Sequence, residues 1–177
     1  LLKWLLAAPT LGLVFKPKYP ATLFTRISRL SGLIAGAEQT GRLKFLTSDY
    51  LLGDVYPAEA AASADICVGK LGGTAPSEVR LAGIKTILID VEGFGGHPFY
   101  TWARGRIAYN DWDSLRKAIE RFRESPEAFA DFGEWSPQLD EFDSFQDGLG
   151  GARMGSYITW LHEELVKGGS KERALVT

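Results

Sequence analysis

Apolar and polar positions along this chain follow two different periods, and the two kinds of segment alternate. Short apolar runs at residues 11–16 and 85–90 predict buried strands. Apolar residues in steps of three and four between 21 and 37 predict an amphipathic helix. This alternation predicts an α/β fold with a parallel sheet of five or six strands and helices on both faces.

The other elements follow from the same patterns and from the residues that begin and end them. Pro57 suits the first turn of a helix, and Asp111 suits a helix N-cap. We expect the apolar residues 1–8 to pack as a helix, because their leucines would otherwise face solvent. Further strands are predicted at 42–47, 65–68 and 106–110, and further helices at 58–64, 75–82, 111–123 and 152–167.

The pattern also predicts which positions are buried. We expect strands 11–16, 65–68 and 85–90 to be central in the sheet. The side chains expected inside are Ile66, Val68, Ile87 and Ile89, and those expected outside are Lys117 and Arg121.

Composition narrows the class of protein. The 177 residues are 45% hydrophobic and 24% charged, which is typical of one globular domain and excludes disordered and fibrous classes. A net charge of −2 argues against a nucleic-acid partner. The single cysteine, Cys67, excludes an internal disulfide and is compatible with a cytoplasmic setting. We expect no metal, because no His, Cys or Asp cluster has the spacing of a zinc site.

The segment DICVGKLGGTAPSE, residues 65–78, carries the strongest local signal of a binding site. Its glycines lie between a predicted strand and a predicted helix, where free amides and the helix dipole favour an anion. Thr74 can cap the helix or donate to a phosphate, and Glu78 can accept hydrogen bonds from ribose hydroxyls. In the alternative interpretation, Gly72 and Gly73 only make a tight turn and Glu78 offsets the helix dipole.

The order of several segments resembles the C-terminal half of a GT-B glycosyltransferase. These segments are FKPKYP, TGRLKFL, the loop before Pro57, residues 64–90, and a closing D-G-x(4)-R-M helix. The similarity is to bacterial enzymes of surface and capsular polysaccharide biosynthesis. It implies that residues 1–177 form one Rossmann-like nucleotide-sugar-binding domain, a fragment of a two-domain protein. The missing N-terminal domain would supply the catalytic base, so the catalytic residues are unknown here.

The resemblance assigns donor-binding roles to particular residues. Gly72, Gly73, Thr74 and Ala75 would face the diphosphate, and Glu78 would lie near the ribose or sugar.

The same resemblance places the base of the donor in the loop 49–57. There Tyr56 or Tyr50 would stack on the base, although core packing beside Pro57 is an equal alternative for Tyr56. Lys16 or Lys18 would neutralise phosphate charge unless it is a solvated loop residue. His97 would touch a phosphate or approach the acceptor unless it is a plain surface-loop histidine.

The closing segment also resembles that of sugar-nucleotide 2-epimerases, in which Asp147 and Arg153 would form a structural ion pair. The sequence VEGFGGHPF at 91–99 departs from the epimerase pattern and counts against that activity.

The function implied is transfer of a sugar from a nucleotide-diphosphate donor, with no cofactor, to a saccharide or lipid-linked acceptor. The implied location is the cytoplasm, with peripheral contact at the inner face of the membrane. The alternatives are an epimerase of the same fold and a non-catalytic nucleotide-binding or interaction module.

Overall fold

The computed structural model of the chain describes residues 1–47 and 55–168. Strands and helices alternate through the first half of the chain, as the pattern predicted, so the fold is mixed α/β. The strands in the described residues are β1 (Leu13–Phe15), β2 (Leu43–Phe45), β3 (Cys67–Lys70), β4 (Thr86–Ile89) and β5 (Ala108–Tyr109). The α-helices there are α1 (Leu2–Ala7), α2 (Pro20–Arg26), α3 (Ser31–Gln39), α4 (Pro57–Ala61), α5 (Thr74–Leu81), α6 (Trp112–Glu124), α7 (Leu139–Phe142) and α8 (Gly150–Val166).

Every strand pair in the described residues is parallel. Leu13 of β1 lies opposite Leu43 of β2, and β4 pairs with β3 on one side and with β5 on the other. The prediction of parallel pairing is confirmed.

The prediction of one sheet with five or six strands is wrong. The described strands form two sheets, β1-β2 and β3-β4-β5, with no ladder between β1 and β3. Hydrophobic periodicity identifies a strand, but it carries no information about which edges pair, because pairing depends on contacts distant in sequence. As a result, β3 is an outer strand, and Val68 is 44% exposed where burial was predicted.

The other burial predictions have mixed outcomes. Ile87 is fully buried at the middle of the three-stranded sheet, and Lys117 and Arg121 are exposed, as predicted. Ile66 and Ile89 are only half-buried.

The predicted N-terminal helix is confirmed as α1. Its Leu5 is fully buried in a cluster with Ile34, Ala37 and Leu43, and its Trp4 makes an edge contact with Trp112 of α6. The helix therefore contacts the elements around both sheets.

One arginine holds the end of α1. Nη1 of Arg42, at the start of β2, donates to the carbonyl oxygens of Leu5 (2.6 Å), Ala8 (2.8 Å) and Leu11 (2.9 Å). The last carbonyls of a helix have no partner within it, so a cation there stabilises them.

The second cluster of buried side chains lies between the three-stranded sheet and α6. Leu115 and Ile119 are one helical turn apart on the face of α6 that packs against Ile87. The helix begins at the predicted cap, where Oδ1 of Asp111 accepts from the N–H of Ser114 at 2.7 Å. Further packing comes from Trp135, 1% exposed, whose Nε1 donates to the carbonyl of Thr86 at 2.9 Å.

The single helix predicted over 21–37 is instead two helices, α2 and α3, separated by a 3₁₀ turn at Ser28–Leu30. Ser28 begins that turn and Ser31 begins α3, and neither serine caps a helix with its side chain.

The chain divides into two compact units, Leu1–Trp135 and Ser136–Thr177. The second contains α7 and α8, and α8 confirms the predicted final helix. In it Nη1 of Arg153 donates to Oδ1 of Asp147 at 3.0 Å, and Nη2 pairs with Oδ2, so the predicted ion pair is confirmed. Within the described parts of the chain, no helix is both long and apolar enough to cross a bilayer.

Candidate functional site

The candidate site lies at the carboxyl-terminal edge of the three-stranded sheet. Because β3, β4 and β5 are parallel, their ends bring the turn 71–73, the loop 90–101 and residues 110–111 to one edge. Ligands of open parallel sheets bind at this edge.

The glycine-rich turn has an open geometry. Gly72 has a φ of +78°, which favours glycine, and the amide of Gly73 donates to the carbonyl of Lys70 at 3.2 Å. Gly73 is the N-cap of α5 and offers no side chain to its first amides. Residues 72–75 are all exposed. The turn therefore presents the N-terminus of an eight-residue helix to solvent.

The other glycine of the segment has a packing role. A Cβ on Gly69 would lie 2.2 Å from Cγ of Pro76, so only glycine lets β3 and α5 approach this closely. A Cβ on Gly73 would meet the carbonyl oxygen of Lys70 at 3.3 Å, and a Cβ on Gly72 would meet nothing within 4 Å.

An ion pair that sequence reasoning missed lies beside the turn. Lys70, the last residue of β3, pairs with Glu92 in the loop after β4, and both side chains are about half exposed. The signal available in the sequence was that both residues lie two positions after the end of a predicted strand. Lys70 therefore places a positive charge beside the glycine turn, and its backbone carbonyl accepts the hydrogen bond from Gly73.

Asp90 organises the loop that follows β4, and it was also missed. The residue is 4% exposed, and its Oδ1 accepts from the N–H groups of Glu92 (3.0 Å) and Gly93 (2.8 Å), while Oδ2 accepts from the hydroxyl of Tyr100. The Tyr100 hydroxyl holds the pKa of the Asp90 carboxyl below its usual value, and the backbone N–H groups add to this against the opposing effect of burial. In turn, burial and the neighbouring carboxylate raise the pKa of Tyr100 to about 12.

His97 lies in the same loop but has a local structural role. Its Nδ1 accepts from the N–H of Phe99 at 3.3 Å, and its ring centroid lies 4.4 Å from that of Phe99. Its side chain is half-buried. With Nδ1 engaged, Nε2 is the ring nitrogen left for a ligand.

Tyr56 and Glu78 are connected through α4. Tyr56 directly precedes α4 and is 59% exposed, so it is not the core residue of the alternative interpretation. Oε1 of Glu78, one turn into α5, accepts from the N–H of Ala58 in the first turn of α4 at 3.2 Å. The structure therefore links the helix that follows Tyr56 to the helix that begins at the glycine turn.

Two predicted phosphate-binding residues, Lys16 and Lys18, do not follow a strand of the three-stranded sheet. Lys16 follows β1, which belongs to the two-stranded sheet, and Lys18 lies 5.3 Å from the ring of its neighbour Tyr19. The lysine that does lie at this edge is Lys70, the last residue of β3. Tyr50, the other predicted stacking residue, lies outside the described residues, as does most of the loop 49–57.

Comparisons with protein-family models, with curated proteins and with solved structures found no match. Among residues 1–47 and 55–168, no group of three or more His, Cys, Asp or Glu side chains is arranged to hold a metal ion.

Proposed function

We propose that the chain binds a nucleotide-diphosphate sugar as the donor half of a glycosyltransferase. The observation that carries this proposal is the exposed turn 72–75, in which two glycines lead into the N-terminus of α5 at the carboxyl edge of parallel strands. The order of sequence segments that resembles GT-B proteins supports the same function.

The chemistry of the turn suits a diphosphate. Backbone N–H groups and the positive end of the α5 dipole stabilise the anion, and the glycines leave room for its oxygens. The ammonium group of Lys70 supplies positive charge from the same turn when a phosphate competes with Glu92 for it. This electrostatic stabilisation also favours the diphosphate as a leaving group.

The rest of the donor extends towards α4. The exposed ring of Tyr56 offers a face on which a uracil or cytosine base stacks. The carboxylate of Glu78 accepts hydrogen bonds from ribose hydroxyls with the lone pairs that Ala58 does not use.

The acceptor in this proposal is a saccharide or a lipid-linked saccharide. The reaction takes place in the cytoplasm, at the inner face of the membrane where the acceptor is lipid-linked. An N-terminal domain completes the cleft and supplies the base, so residues 1–177 alone bind the donor without transferring its sugar.

Titration calorimetry with UDP and CDP tests donor binding. We expect one site, and we expect Gly73→Val to abolish binding because the new side chain blocks the approach of the phosphates. Gly32→Val is the matched control, since Gly32 lies on α3 and an added Cβ there meets nothing within 4 Å. Equal affinity in both variants would mean that the turn is structural and that the donor site is elsewhere.

The Asp147–Arg153 ion pair keeps an epimerase as a second candidate, because the resemblance to 2-epimerases rests on that segment. The assays separate the two enzymes. Inversion at C2 of a UDP-sugar without an acceptor identifies an epimerase, and sugar transfer to an acceptor identifies a transferase. UDP binding without either reaction in a complete two-domain protein would instead identify a non-catalytic binding module.

A further inference from the structure

The ion pair between Lys70 and Glu92 sets the charge at the edge where the proposed donor site lies. Residues 70–75, 90–101 and 110–111 form this edge, and the structure describes all of them. Lys70 is the one lysine or arginine among these residues. Because Glu92 pairs with it, a carboxylate of the chain already neutralises the cation that a phosphate would use. About half of each side chain is exposed, so a ligand has access to the pair.

The other two carboxylates of this edge have partners of their own. Asp90 accepts from two backbone N–H groups of its loop and from a hydroxyl. Asp111 accepts from the N–H of Ser114 at the start of α6. Glu92 is therefore the carboxylate of the three whose charge falls on the cation.

The two partners of the ion pair differ in their freedom to move. The backbone of Glu92 is held by Asp90, which is 4% exposed and accepts from the N–H groups of Glu92 and Gly93 at 3.0 and 2.8 Å. Lys70 carries its ammonium group on a flexible four-carbon stem, and its carbonyl accepts from the N–H of Gly73 at 3.2 Å. The ammonium group can therefore move to an anion at the turn 72–75, whereas the backbone of Glu92 stays in place. Such a movement separates the pair.

The strength of the pair suits a competitor that a diphosphate displaces. An exposed ion pair is worth a factor of about one to five in an equilibrium constant. A diphosphate carries more negative charge than one carboxylate and also accepts from the amides of the turn, so it outcompetes Glu92 for the lysine. Separating the pair uses part of the binding energy, so Glu92 lowers the affinity without closing the site.

We propose that Glu92 is a built-in competitor of the donor phosphates, which holds Lys70 in the empty protein and releases it when a diphosphate binds. This inference rests on the proposed function, because it takes the turn 72–75 as the phosphate site. Its consequence is that the chain regulates its own affinity. Glu92 weakens binding of the donor, and it recaptures Lys70 as the diphosphate product leaves.

A double-mutant cycle on the full chain tests the proposal, with titration calorimetry and inorganic pyrophosphate as the probe. Glu92→Gln removes the competing charge and should tighten binding about two- to fivefold. In a Lys70→Gln background the same change should alter the affinity by less than about 1.5-fold, because no cation is left to release. Glu127→Gln removes an equal charge beyond the C-terminal end of α6 and should leave the affinity unchanged. All these side chains are at least partly exposed, so each variant should keep the parent's far-ultraviolet circular dichroism.

The cycle separates competition for Lys70 from simple repulsion of the ligand. A carboxylate that only repels would give the same gain with or without Lys70, and that result overturns the proposal. So does a Glu92→Gln chain with the affinity of the parent.

Parallel titrations with UDP show which of the two proposals fails. If the parent and Glu92→Gln bind UDP equally and Gly73→Val abolishes binding, the donor site stands without the competitor. If Glu92→Gln tightens pyrophosphate binding as expected in a chain that does not bind UDP, the competitor stands and the donor function is wrong. If neither chain binds either ligand, both proposals are wrong.

Discussion

The carboxylate of Glu78 on α5 accepts a hydrogen bond from the backbone N–H of Ala58, 3.2 Å away in the first turn of α4. Sequence reasoning assigned Glu78 to the ribose of a donor, and the structure adds that it joins two helices beside the glycine turn. A variant of Glu78 that removes this oxygen should therefore affect α4 as well as the proposed binding of a donor.

Two substitutions at Glu78 separate these effects. Glu78→Ala should weaken UDP binding by about 1–3 kcal/mol, the range for a hydrogen bond to a charged group. It should also lower the free energy of unfolding by about 0.5–2 kcal/mol, because a helix start loses its acceptor. Glu78→Gln keeps an oxygen for Ala58 and should restore stability but not affinity. Calorimetry and urea unfolding measure the two quantities. If the glutamine variant recovers both, Glu78 acts only by positioning α4.

Gly69 should be intolerant of a methyl group. Alanine in a strand is favoured over glycine by about 0.5–1 kcal/mol, but its Cβ here would lie 2.2 Å from the ring of Pro76. The overlap should dominate and make Gly69→Ala destabilising by about 1–3 kcal/mol in urea unfolding. Gly95→Ala is the control, since its Cβ meets nothing within 4 Å. A neutral Gly69→Ala would show that β3 and α5 separate without cost.

The hydrogen bond between Asp90 and Tyr100 should affect how the free energy of unfolding falls at acid pH. The Tyr100 hydroxyl lowers the pKa of Asp90 in the folded state, so the native protein binds fewer protons there than the unfolded chain. The resulting stability is present above the unfolded pKa of about 3.9 and is lost as the pH falls through the folded pKa. Tyr100→Phe should reduce stability at neutral pH and move the acid loss to higher pH.

Urea unfolding from neutral pH to about pH 3, spanning the carboxyl pKa range, measures this effect. Tyr19→Phe, at a residue that is 56% exposed, is the control and should keep the parent profile. The linkage is refuted if both phenylalanine variants lose stability over the same pH range.

Arg42 should contribute more to the stability of the fold than a half-exposed side chain usually does. Its Nη1 contacts the carbonyls of Leu5 and Ala8 at the end of α1 and that of Leu11 before β1, so Arg42→Ala should lower the free energy of unfolding by about 1–3 kcal/mol. Arg29→Ala, at an exposed residue, should change it by less than about 0.5 kcal/mol. Hydrogen exchange would show the loss as faster exchange in α1. Unchanged protection of α1 would mean that burial of Leu5 alone holds the helix.

Local signals predicted the elements well. The apolar run before Asp90 became β4, Asp111 caps α6, and the D-G-x(4)-R spacing gave the Asp147–Arg153 ion pair. Each of these outcomes depends on residues that lie within a few positions of one another, so a short stretch of sequence is enough to predict it. The break between α2 and α3 was missed because the apolar period continues across it.

Only the parts of the candidate site that lie within one short segment were predicted. The turn 72–75 could be identified from one segment, as could the position of Tyr56 before a helix. The ion pair of Lys70 with Glu92 joins residues from two different strands, so no single segment contains it. Equally, the hydrogen bonds of Asp90 depend on where the loop returns to place Tyr100.

By itself the sequence determined the α/β class, the parallel direction of the strands, the starts of α4 and α6 and the open glycine turn, because period, caps and glycine conformations act over a few residues. Only the tertiary structure decided that the strands form two sheets, that Val68 lies on an outer strand, and that Glu78 reaches Ala58. The physical reason is that edge pairing, burial and helix-to-helix hydrogen bonds depend on groups far apart in the chain. Their positions are set by the packing of all the elements together.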